Sequence, residues 1–150
     1  MKEFKRILFP VDLSESSTKI VPYVQTVAEK FESKIHILFA ARVFEYFTSI
    51  YVPHPSINRF EREIIEGAEK RLYEFMDEHF SKFPNTKTVV VAGDASEEIL
   101  NYIEDQHIDL VIMGTHGRKG MDKIIFGSVA ERVVKTSPVP VMVVNPYKTS

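Results

Sequence analysis

Leu110-Val-Ile-Met-Gly-Thr-His-Gly117 runs from four continuous apolar residues straight into a pair of glycines. The tetrad is short and lacks polar alternation, as expected of a strand buried on both faces of a parallel sheet. Gly120 and Gly127 follow before a helical pattern opens at Ser128, so four of the six glycines fall between residues 114 and 127. Glycines in this position let backbone N–H groups approach an anion closely. The helix behind them adds its unpaired first-turn donors and positive dipole end.

Outward from this stretch, four further apolar runs occupy residues 6–11, 35–41, 88–92 and 139–144, and helical patterns separate them. Such alternation predicts an α/β fold with an open parallel sheet sandwiched by helices. Ile20, Val24, Val27, Ala28 and Phe31 recur at helical spacing behind Ser14-Glu-Ser-Ser17, with Pro22 costing one early hydrogen bond. Phe60, Ile64, Ala68, Leu72, Phe75 and His79 form the longest stripe, expected in the core. Ile99, Leu100 and Ile103 form a shorter one behind an N-cap predicted at Ser96. The last helix opens Ser128-Val-Ala-Glu131, the spacing of a capping box, and ends near Ser137-Pro138. Residues 43–58, with Phe44, Tyr46, Phe47 and Tyr51, fit no period and read as a long aromatic connection. It is either a lid or a self-packed loop.

The chain has 150 residues of which 44% are hydrophobic, the size of one domain that buries about 70% of its unfolded surface. A single domain over 1–150 is expected. The net charge of −2 gives no general attraction to nucleic acid or anionic lipid, so an anion site must be built locally. With no cysteine there are no disulfides and no thiolate ligands or nucleophiles, which fits a reducing compartment. The apolar stretch of the N-terminus is too short for a signal segment or a membrane span, so a cytoplasmic protein is expected.

Ligands of open parallel sheets bind beyond the carboxyl ends of the strands, where the strand order reverses. The strand-end residues are Pro10 and Asp12, Ala40 and Ala41, Gly93 and Asp94, and Gly114. From Met113 onward the sequence has the form G-2x-G-9x-G-S: Gly114, Thr115, His116, Gly117, then nine residues from Arg118, then Gly127 and Ser128. With Ile-Leu-Phe-Pro-Val-Asp12, Gly93-Asp-Ala95 and Pro138-Val-Pro-Val-Met-Val-Val144, the chain resembles the universal stress protein family over essentially its whole length.

The resemblance implies a Rossmann-like, adenine nucleotide alpha hydrolase-like sheet of order 3-2-1-4-5. In members keeping the glycine motif it implies bound ATP. Carried across by motif, Gly114, Gly117, Gly127 and Ser128 would hold phosphates and ribose, and Val129 would add a backbone N–H. Asp12 would accept from the ribose or adenine side, and Ala40 aligns where backbone meets the adenine edge. A larger aliphatic residue is usual at that last position. A carboxylate at Asp12 suits hydroxyl or amine donors and would be repelled by triphosphate. As a simple helix cap it would need no ligand.

Arg118, Lys119 and Lys123 make the loop locally basic, and Arg118 and His116 are contact candidates. Thr115 and Asp122 are candidates to help hold magnesium on the phosphates.

Motifs of P-loop, dinucleotide, serine-hydrolase and zinc-protease chemistry are missing, and the histidines at 36, 54, 79, 107 and 116 show no ligand spacing. His36 reads as a satisfied structural residue. No catalytic or metal-ligating residues are therefore assigned. The expected function is an ATP-binding regulatory or stress-response module, with a weak ATPase or a dimeric scaffold as alternatives. Pro140 marks the last strand as an edge, yet Val139, Val141, Met142, Val143 and Val144 leave that edge uncharged. Family members pair this strand across a two-fold axis, which implies a homodimer through 139–144. A regulatory protein partner is not identified by sequence.

Overall fold

The computed structural model describes residues 1–42, 54–116 and 127–148. Five strands alternate with four helices: β1 (Arg6–Pro10), α1 (Glu15–Phe31), β2 (Lys34–Ala41), α2 (His54–His79), β3 (Lys87–Ala92), α3 (Ala95–Asp105), β4 (Leu110–Gly114), α4 (Ser128–Thr136) and β5 (Val141–Val144). All neighbouring strands are parallel, in the order β3-β2-β1-β4-β5. The order reverses between β1 and β4, at the middle of the sheet.

Continuous apolar strands are explained by two cores. Ile7, Phe9, Ile35, Ile37 and Ile112 face α1 and α2, meeting Ile20, Val24, Ala28 and Leu72. Leu8, Leu38, Val111 and Met113 face the other way, against Ile99 and Ile103 of α3 and Ala130 and Val133 of α4. Each fully buried side chain of this size contributes about 1.5–3 kcal/mol, so neither face of the central strands can be made polar cheaply.

Several local expectations are corrected. β5 begins at Val141 rather than 139, because the Val139 N–H is taken by the Ser137 hydroxyl at 3.1 Å and Pro140 has no N–H to give. The Pro140 carbonyl still accepts from Val111 N–H at 3.0 Å. α3 is capped by Asp94 rather than Ser96. The Asp94 carboxylate accepts from Glu97 N–H at 3.1 Å and from the Ser96 hydroxyl at 2.7 Å. α2 starts at His54, so the end of the predicted aromatic connection is helical, while 43–53 lies outside the described residues. Along its stripe Ala68 and Leu72 are buried, but Phe60 is 39% exposed and lies outside the core.

Candidate functional site

Asp12 lies just beyond β1, beside the point where the strand order reverses. Leu13 follows with φ of 62°, a left-handed conformation that is strained for a branched side chain and turns the chain sharply into α1. The turn folds the Asp12 side chain back along the chain. Its Oδ1 accepts from Ser14 N–H at 3.0 Å, the Ser14 hydroxyl at 2.6 Å and the Ser17 hydroxyl at 2.9 Å. The N-cap of α1 is Ser14, which accepts from Ser16 N–H, so a capping role for Asp12 is corrected. Asp12 Oδ2 is buried and has no hydrogen-bond partner among the described residues. An orphaned buried carboxylate oxygen is costly, and an ordered water or a ligand donor is the ordinary remedy.

Pro10 closes β1 opposite Leu38, and Val11 N–H bonds the Leu38 carbonyl at 2.9 Å. On the other side of β2, Gly93 N–H bonds the Ala41 carbonyl at 2.9 Å. Alternate residues of a parallel strand address alternate neighbours. Ala40, two residues past Leu38, therefore directs its N–H and C=O toward β1, which has already ended. β2 outruns β1 here, leaving a backbone edge beside Asp12.

On the other side of the reversal, Met113 is buried and Gly114 ends β4. Thr115 N–H bonds the Val144 carbonyl of β5 at 2.9 Å, and Gly127 N–H bonds the Thr115 carbonyl at 2.7 Å. The two ends of the glycine motif are thereby drawn together. A Cβ on Gly127 would stand 2.9 Å from that same carbonyl oxygen, so a side chain is excluded by contact with backbone. Its φ of −59° is open to any residue, and close approach is the whole reason for glycine here.

Gly127 is also the N-cap of α4, with no side-chain cap bond. Ser128 is the first helical residue and exposed, and the predicted capping box with Glu131 is not formed, because the Glu131 carboxylate takes Lys135 at 2.8 Å. Val129, half-buried, packs toward Ala130 and Val133.

His116 Nδ1 lies 2.8 Å from the Thr115 hydroxyl, while its Nε2 is buried and without a partner among the described residues. Its ring meets Tyr147 edge-on at 5.2 Å, and Lys19 Nζ stands 5.6 Å from the centre of the Tyr147 ring. Gly117, Arg118, Lys119, Gly120, Asp122 and Lys123 lie outside the described residues. Among those described, no three His, Asp or Glu side chains gather at metal-binding distance.

Pro10, Asp12, Ala40, Gly114, Thr115, His116 and Gly127 thus lie at the carboxyl ends of β1, β2 and β4, and Ser128 and Val129 open α4 behind Gly127. Asp94 does not join them, since its carboxylate caps α3 and pairs with Arg42 and Arg132, each at 3.3 Å. The hydrogen bonds from Ser96 and Glu97 N–H hold that carboxyl below its usual range, with the two arginines adding to the effect. Sequence reasoning missed Ser17 and Tyr147. Ser17 is one of three equivalent serines in a helix start, and Tyr147 lies beyond the last strand.

The model of the universal stress protein family matches residues 3–145. Universal stress protein MJ0577 of Methanocaldococcus jannaschii is 29% identical over 154 residues, covering 95% of each chain. The solved universal stress protein UspA from Lactobacillus plantarum is 20% identical and aligns with a TM-score of 0.80 over 97% of this chain and 100% of that one. Two more distant structures are a universal stress protein in complex with cAMP (18% identity, TM-score 0.62, 97% and 99% covered) and one from Archaeoglobus fulgidus in complex with dAMP (14%, 0.65, 95% and 98%). Given a match over nearly the whole chain and the strand order β3-β2-β1-β4-β5, the chain belongs to the universal stress protein family.

Proposed function

We propose that the chain binds an adenine nucleotide, ATP in the first instance, at the carboxyl ends of β1, β2 and β4, and that occupancy regulates what the protein does. The observation that carries the reading is Asp12 Oδ2, a buried carboxylate oxygen with no partner among the described residues, at the reversal of strand order. The residues present fit the group. Asp12 suits the hydroxyls or amine of a nucleoside, and the backbone of Ala40 suits a base edge. The N-terminus of α4, with Gly127, Ser128 and Val129, suits phosphate. Two proteins of this fold have been solved with cAMP and dAMP, which supports an adenine ligand. Gly117 and Arg118 would complete the phosphate side, with magnesium offsetting phosphate charge.

Slow or absent turnover belongs to this reading, in which no residue of the chain is assigned a catalytic role. Acid extraction and mass analysis of the purified protein test the proposal directly. Adenine nucleotide recovered near one equivalent supports it. Protein that carries none and gains no thermal stability from ATP, ADP or AMP overturns it.

A homodimer in the cytoplasm belongs to the same reading. β5 is an edge strand with Met142 38% and Val143 37% exposed, an apolar edge suited to a second copy. No helix among the described residues is long and apolar enough to cross a membrane.

A further inference from the structure

Ser17 is 7% exposed, on the first turn of α1, in a region otherwise packed with Ile20, Val21 and Val24. An alanine would fill nearly the same space, so the hydroxyl must be explained by what it bonds. It donates to Asp12 Oδ1 at 2.9 Å and accepts from Asp12 N–H at 3.1 Å. These two bonds run in opposite directions and tie both the side chain and the backbone of one residue. Ser14 supplies two more donors to the same Oδ1. That oxygen is therefore saturated, and Oδ2 is left buried without a partner among the described residues.

We infer that Ser17 is a positioning residue. It locks the Asp12 carboxylate so that one oxygen is consumed internally and the other is presented to the ribose hydroxyls of a bound nucleotide. The inference rests on the nucleotide reading above. The lock removes rotation about the carboxylate bond before the ligand arrives, so less ordering is left for binding to impose. It also confines Asp12 to the nucleoside half of the ligand, since a fixed anionic oxygen repels phosphate.

The test is calorimetric titration of ATP and AMP into wild type, Ser17→Ala, Asp12→Ala, the double variant and Ser17→Thr, with unliganded melting curves for each. Ser17→Ala is expected to weaken binding up to about tenfold, by a similar factor for AMP and ATP, because binding must then order the Asp12 carboxylate itself. In the Asp12→Ala background the same change should do nothing further, because Ser17 acts only through Asp12. Ser17→Thr, which keeps the hydroxyl, should restore binding. If Ser17→Thr does not fold, the four-way alanine comparison decides alone.

Full additivity of the two alanine changes overturns the inference. So does unchanged affinity in Ser17→Ala while Asp12→Ala binds weakly, an outcome that leaves the nucleotide reading standing. A wild type that binds neither ATP nor AMP overturns both.

Discussion

The hydroxyl of Tyr102, on α3, lies 2.6 Å from Nδ1 of His36, on β2, inside the core facing α3 and α4. His36 is 3% exposed, and its other ring nitrogen is buried with no partner among the described residues, so the expected satisfied histidine is satisfied there at one nitrogen only. Burial, with Lys34, Lys87 and Arg6 nearby, lowers its pKa from 6.5 to about 4, and burial pushes Tyr102 up to about 12.

Acid should therefore weaken the fold through His36. Between pH 6.5 and about 4 the unfolded chain binds a proton that the folded chain refuses. Stability from this group is complete above pH 6.5 and falls as the pH drops toward 4, by at most about 3 kcal/mol. Urea titrations at pH 7 and pH 4.5 should show a smaller loss in His36→Gln than in wild type. Equal losses would remove His36 from the explanation.

Gly127→Val should damage both fold and ligand response. The added Cβ meets the Thr115 carbonyl at 2.9 Å, a backbone contact that cannot swing aside, so about 1–3 kcal/mol of stability should be lost. In wild type, ATP at about 100 times its dissociation constant should add about 2.7 kcal/mol, a melting-temperature rise of about 5–10 °C. Differential scanning calorimetry of the variant should show the lower baseline and no ATP shift. Gly117→Val should lose the shift as well. Retention of it in both variants would exclude the glycine motif as the site.

Met142→Lys combined with Val143→Lys should yield a folded monomer by light scattering. These two side chains are exposed on the edge strand, whereas Val141 packs toward α4 and Val144 is buried, so neither of the latter is a clean probe. A dimer that survives both lysines pairs through some other surface.

Asp94→Ala should cost about 1 kcal/mol, as loss of an N-cap does, and Asp94→Asn should recover much of it by keeping an acceptor for Glu97 N–H. Because the Asp94 carboxyl is held below its usual value of 3.8, its contribution is present above that pH and fades under stronger acid. Denaturant midpoints at pH 7 measure the difference between the two variants. Alanine and asparagine behaving alike would mean that the arginine pairs, rather than the cap, carry the effect.

The sheet was legible because a strand buried on both faces needs an unbroken apolar run, as in Leu110-Val-Ile-Met113. Asp12 was legible for a similar reason, as a carboxylate at a strand end. The partners of these residues were not. Nothing in Ser14-Glu-Ser-Ser17 distinguishes the serine that caps from the serine that grips Asp12, since the left-handed turn at Leu13 makes that choice. At α4 and α3 the cap fell one and two residues earlier than expected, on Gly127 and Asp94, because Gly127 is held by Thr115 and because a carboxylate takes both donors at Asp94. Long-range contacts set those boundaries, and local patterns do not contain them.

The bond from Thr115 N–H to the Val144 carbonyl, with Tyr147 three residues further against His116, joins the glycine turn to the sheet's last strand. If the proposed second copy docks on its outer edge, a four-residue strand carries two loads, that copy at the edge and the glycine turn at the carboxyl end. Genetic screens would see this as pleiotropy: lesions selected for failed assembly at 141–144 should often surface among those selected for lost ligand response, and the two phenotypes would separate only with substitutions confined to outward-facing side chains.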